Sequence, residues 1–365
     1  MLRSAQMLLA QTVRAHYKGR SWRPPHSIAR RRQDPFVRSV LTWFADFPSS
    51  TDCFYSLHNM VAAGIKYDRL PGEWYGPGAA CLVVRDLVHM HERHQQQANS
   101  LGKEICHKMF RVYVASQGAI YRDAIENLVA TEAKARMAEE KSKKKKESSP
   151  AHPLDVAWDE ELIESIQGAA GEMEWDTSLL LLIPVRLGLK SFNEDYVKSV
   201  ANTFSMPQSV GVLGGRPRSA RWFYGASSDG EKIFGLDPHT VQHAPQRRTA
   251  RVNGKPSSLV ELSEDYVRSV HTTYSEVLSL QKMDPTIALG FYCRDRKDME
   301  DLFASIQKWK DDHPNAPELF SIADTAPDYS SNAVSSAMND MMLSSMSLQD
   351  FDDDQASDGD EFVML

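Results

Sequence analysis

The segment GLDPHTVQ, Gly235 to Gln242, sets a carboxylate and an imidazole two residues apart, Asp237 and His239. In an extended chain residues i and i+2 point to the same face, about 6.6 Å apart along the strand. Pro238 fixes its own φ and biases Asp237 toward extended backbone. The two side chains would then lie side by side and share a hydrogen bond. A carboxylate so placed holds an imidazole in one tautomer and stabilises the imidazolium, the task of the orienting acid in a triad. The same spacing also suits a surface turn with an Asx bond and an ordinary histidine.

A histidine base needs a nucleophile, and the chain has four cysteines, Cys53, Cys81, Cys106 and Cys293. They lie far apart with no CxxC pair, which fits a reducing compartment and suggests no metal site. Cys53 follows Asp52 at an expected helix start, a position whose dipole favours a thiolate. Cys81 reads as helical core and Cys293 as buried strand, while Cys106 stays open.

The elements that must hold these groups follow from periodicity. Leu2, Ala5, Leu9 and Val13 recur at helical spacing, and Gly19 and Pro24-Pro25 end that helix. Helices are expected around Phe36 to Phe44, from Tyr55 to Val61 and from Ala79 to His91. Between the last two, Gly72 to Pro77 (GEWYGP) is a turn carrying two large aromatics. Strands are expected at Met109 to Ala115, Leu179 to Val185, Val210 to Leu213, Arg221 to Tyr224, Lys232 to Leu236 and Ile287 to Cys293. Asp229-Gly230 makes the hairpin signal, and Asp298 to Trp309 is a helix. Helices first and mixed strands later indicate an α+β domain with a split sheet.

The net charge of -7 comes from one place. Asp350 to Glu361 holds seven acidic residues and no basic one, and outside it acidic and basic residues balance at 42 each. A neutral body argues against a broad nucleic-acid footprint. The run KSKKKKESS, Lys141 to Ser149, reads as a solvated insertion, and the composition after Asp311 reads as a mostly disordered tail. No apolar run is long enough to span a membrane, and the basic start lacks the pattern of a secretory signal.

Several blocks then match one family in order: MLRSAQMLLAQ (Met1 to Gln11), YSLHNM (Tyr55 to Met60), GEWYGP, LLIPVRLGL (Leu181 to Leu189), MPQSVGVLGGRP (Met206 to Pro217), LDPHT and DPTIALGFYCRDRKD (Asp284 to Asp298). Together they resemble the autophagins, papain-like cysteine proteases that process and delipidate the ubiquitin-like modifiers of autophagy. The resemblance covers about residues 1 to 310 and implies a papain-like α+β domain over 1–312, with a lysine-rich insertion at 131–157. It leaves 313–365 as a disordered acidic tail. It implies Asp237 as orienter and His239 as base and acid. The family's nucleophile lies in GWGC-MLR, so the cysteine is expected just before Met1, and the chain as it stands is expected not to cleave. The resemblance further implies that Trp74 lies over the substrate cleft and that a loop around Gly214, Gly215 and Pro217 covers it. As an alternative, Trp74 fills core.

The last residues, Phe362-Val363-Met364-Leu365, resemble a motif that adds a strand to a modifier, with Phe362 and Leu365 in pockets. The implied partner is a ubiquitin-like autophagy modifier, in precursor and lipidated form. Membrane contact would come only through the lipidated substrate. No nucleic acid and no cofactor are expected, and the implied location is cytoplasmic. A second reading is a member that binds the modifier without cleaving it.

Overall fold

The computed structural model describes residues 1–48, 52–100, 110–130, 175–252, 255–272 and 274–327. Its centre is a seven-stranded mixed sheet in the order β1-β3-β10-β4-β5-β6-β9. These strands are β1 (Arg111–Val114), β3 (Leu179–Arg186), β4 (Ser209–Arg216), β5 (Ser219–Ala226), β6 (Lys232–Leu236), β9 (Glu276–Ser279) and β10 (Thr286–Cys293). β1 runs parallel to β3, and the remaining pairs in this sheet are antiparallel.

β3 reads as an unbroken apolar run because both of its faces are covered. Leu179, Leu181 and Ile183 point into a core shared with helices α6 (Arg122–Val129), α7 (Val197–Thr203) and α9 (Arg296–Asp312). Leu180 and Leu182 alternate to the other face and are equally buried. Helices α1 (Leu2–Lys18) and α5 (Pro77–Ser100) pack against the sheet through β3, β4, β5 and β10. Gly290, opposite Leu182, lets α1 come close: a Cβ there would sit 2.8 Å from Leu8 Cδ1.

A smaller core lies apart from the sheet. It joins α3 (Pro35–Trp43) and α8 (Glu264–Ser269) through Val37, Leu41, Cys53, Val260, Leu262 and Val267, with Ile28 of α2 (Ile28–Gln33) packed against them. β7 (Gln246–Val252) and β8 (Lys255–Glu261) form a separate hairpin between the LDPHT segment and α8 in chain order. The sequence offered no clear signal for this hairpin, for α8 or for β9, since each is short and mixed in composition. α4 (Leu57–Gly64) starts at Ser56, whose hydroxyl accepts the Asn59 N–H at 3.2 Å as an N-cap.

The folded unit runs past the expected domain end at residue 312, as far as Ala323. β11 (Ser321–Ala323) pairs in parallel with β2 (Ala119–Tyr121). Residues 313–323, expected in the tail, are held because Leu319, Phe320 and Ile322 pack on the main core. Their Pro- and Asp-rich surroundings hid those apolar side chains. The lysine-rich insertion, Cys106, Phe362 and Leu365 lie outside the described residues. No described helix is long and apolar enough to cross a membrane.

Candidate active site

Asp237 and His239 meet, although not as two residues of a strand. β6 ends at Leu236, and Asp237 to Thr240 turn away from the sheet. The Asp237 Oδ1 accepts the His239 backbone N–H at 2.9 Å, which closes an Asx turn, and lies 2.5 Å from the ring Nδ1. The Asx turn and the oriented imidazole are therefore one arrangement, and the two readings of this spacing do not compete. With Nδ1 held by the carboxylate, Nε2 is left without a hydrogen-bond partner among the described residues. The ring itself is half exposed.

The other carboxylate oxygen is held by a residue that periodicity alone placed only as a strand position. Arg221 Nη2 donates to Asp237 Oδ2 at 3.1 Å from the neighbouring strand β5. Burial pushes the Asp237 carboxyl up. The N–H and ring of His239 and the Arg221 charge outweigh that and hold it below its ordinary value.

Register explains why Arg221 reaches this spot. β5 and β6 pair Ala226 with Ile233 and Gly225 with Phe234, then skip one residue and pair Phe223 with Gly235 and Trp222 with Leu236. Tyr224 is the residue left over, a bulge that is half exposed and whose hydroxyl bonds Ser275. A simple hairpin counted from Asp229-Gly230 would set Trp222 opposite Asp237. The bulge sets Arg221 there instead.

The other expected site residues fall in different places. Trp74 is 67% exposed on its turn before α5, so it does not fill core. Tyr75 does that, with its ring so close to Gly64 that a Cβ there would lie 1.9 Å from its hydroxyl. Gly214 and Gly215 are not loop residues: both are buried within β4 and paired with Arg221 and Ala220. Gly215 has φ +147, and a Cβ on it would meet the Ser219 carbonyl at 2.1 Å, so the strand itself requires glycine there. The expected loop shrinks to a two-residue turn, Pro217-Arg218, between paired Arg216 and Ser219. Arg218 sits at φ 63, the left-handed region that a non-glycine residue seldom occupies.

None of the described thiols is activated. Cys53 is fully buried, and burial together with Asp52 pushes its thiol up to about 11 despite the nearby Arg247. This reverses the favourable setting expected for it: the thiol lies inside the smaller core, where burial outweighs the Arg247 contact. Burial also raises Cys81 to about 12, and Cys293 is raised for the same reason.

An acid-held imidazole with one open nitrogen, just past the end of β6, is an arrangement found in hydrolases that pair a histidine base with a side-chain nucleophile. A family model described as the peptidase C54 catalytic domain matches residues 1–305. Similar proteins include cysteine protease ATG4B of Gallus gallus, 30% identical over 91% of this chain and 73% of its own length. Cysteine protease ATG4A of Oryza sativa subsp. indica is 29% identical over 88% of this chain, and cysteine protease ATG4 of Medicago truncatula is 30% identical over 88%. The chain spans 57% of the rice protein and 55% of the Medicago protein. The chain belongs to the peptidase C54 family, the autophagins.

Proposed function

We propose that this chain is part of an autophagy cysteine protease that cleaves a ubiquitin-like modifier after a C-terminal glycine and removes phosphatidylethanolamine from the conjugated form. The observation that carries this reading is the His239 imidazole held through Nδ1 by Asp237, with Nε2 open. On this reading the nucleophile is a cysteine other than Cys53, Cys81 and Cys293, set where helix N–H groups favour a thiolate. The raised thiols of Cys53, Cys81 and Cys293 support a nucleophile from elsewhere. His239 Nε2 takes the thiol proton as sulfur attacks the glycine carbonyl, and returns it to the departing amine. Water then hydrolyses the thioester with His239 as base, while Asp237 holds the ring throughout.

Trp74, exposed beside α5, and the Pro217-Arg218 turn bound the cleft for the extended glycine end. The acidic terminus adds Phe362 and Leu365 as a second contact with the modifier. We expect a peptide of residues 350–365 to bind the modifier in a titration, and the Phe362→Ala, Leu365→Ala pair to lose that binding.

The decisive experiment uses the full-length protein and a modifier precursor with residues beyond its glycine. We expect cleavage by the wild type and none by His239→Ala. Binding of the precursor without cleavage by the wild type would instead mark a modifier-binding protein.

A further inference from the structure

We propose that Arg221 is the positioning residue of this site, tying the catalytic turn to two other strands so that Asp237 presents a fixed carboxylate to His239. The inference rests on the assignment of Asp237 and His239 above.

A guanidinium has five N–H donors in a rigid plane, and at Arg221 every one is used. Nε donates to Glu276 Oε2, and Nη2 donates to Glu276 Oε1 at 2.7 Å, a bidentate pair with the first residue of β9. The second Nη2 hydrogen goes to Asp237 Oδ2 at 3.1 Å. Nη1 donates to the Ser219 carbonyl at 2.9 Å and to the Ser219 hydroxyl at 2.5 Å. Ser219 is the residue that follows the Pro217-Arg218 turn. One side chain, 11% exposed, thus joins the hairpin end, the sheet edge and the catalytic turn.

The chemistry explains why three anchors matter. Asp237 follows the end of β6, where ladder hydrogen bonds no longer fix the backbone. Its Oδ1 is committed to the His239 N–H and ring, so the freedom left to the carboxylate is limited by what holds Oδ2. Arg221 supplies that hold. Glu276 in turn offsets the guanidinium charge, so the cation is not left free to oppose an imidazolium. Lysine would keep the charge but has no planar fork and cannot reach all three partners.

Ring nitrogen NMR on the histidine-labelled chain tests the inference without requiring turnover. His239→Gln assigns the ring, and the buried His91 signal reports on the fold. In the wild type we expect the neutral His239 ring to carry its proton on Nδ1, facing the Asp237 carboxylate. In Arg221→Gln we expect that tautomer to fall to the mixture typical of a free histidine, with His91 unchanged, and Arg221→Lys to keep part of it. In the full-length protein the same order is expected in kcat, with KM changed less than threefold. An unchanged His239 tautomer in Arg221→Gln overturns the inference. Full turnover by His239→Ala overturns the assignment of the site, whatever Arg221 does.

Discussion

Two histidines in this protein are bonded through the same ring nitrogen and sit in opposite surroundings. His91, on α5, has Nδ1 at 2.8 Å from the Tyr55 hydroxyl and lies stacked on Phe54 with ring centroids 3.7 Å apart. Its other nitrogen is 3.3 Å from the Gln95 amide, and Trp43 packs edge-on at 4.9 Å. Burial, helped by His94, lowers its pKa to about 3. His239 has its Nδ1 on a carboxylate, a half-exposed ring and no such cage. A neutral phenol in an apolar cage cannot stabilise a protonated ring, whereas an ionised carboxylate beside water can. A hydrogen-bonded histidine is therefore no sign of catalysis. The charge of its partner and the access to its second nitrogen decide.

The comparison breaks most visibly on turnover. In the full-length protein Asp237→Asn should lower kcat by about 10³ to 10⁴, because the ring loses its tautomer. Tyr55→Phe should leave kcat within about twofold in the same precursor-cleavage assay. Equal losses would mean that both histidines serve the chemistry.

Acid separates the two on stability. A histidine with a lowered folded pKa takes its proton first in the unfolded chain. Its contribution is whole above the ordinary value of about 6.5 and is lost as pH falls toward the folded value, by about 1.4 kcal/mol per pH unit. His91 at about 3, His89 at about 4 and His271, also lowered, all act this way, chiefly through burial. Asp237 acts lower down: its folded pKa is depressed, so its contribution is present above its ordinary value and lost as pH falls through the folded one. Urea midpoints between pH 7 and 5 should therefore fall in the wild type. In His91→Gln the slope should lose about one proton, and an unaltered slope would place His91 outside the buried set.

The smallest effect is Tyr55→Phe itself. It leaves a buried ring nitrogen unpaired at a cost of about 1 to 3 kcal/mol, readable as a lower melting temperature.

Much of this was legible from local pattern. The buried strands β3 and β10, the long helices α1 and α9, the exposed turn at Trp74 and the Asp237–His239 pair all follow from spacing and turn chemistry. Arg221 did not, because its role depends on the Tyr224 bulge, and a bulge has no fixed residue signature when the extra residue is tyrosine. Gly214 and Gly215 misled in the opposite direction. The resemblance implied a loop there, yet both lie in β4 and the need for glycine is steric, set by Met283 at Gly214 and the Ser219 carbonyl at Gly215. The setting of Cys53 failed because a helix start says nothing about which core covers it.

The pairing of β2 with β11 also bears on how the protein is made. It joins Ile120 to Ile322, so about 200 residues of chain separate the two partners. Ribosomes add about 5 to 20 residues per second. β2 is thus complete roughly 10 to 40 seconds before its partner exists, and contacts of such sequence distance form late in any case. During synthesis the nascent domain carries an unpaired strand beside apolar surface that Leu319, Phe320 and Ile322 will cover. Anything that shelters this strand, or slows release before Ala323 has emerged, bears directly on the yield of folded protein.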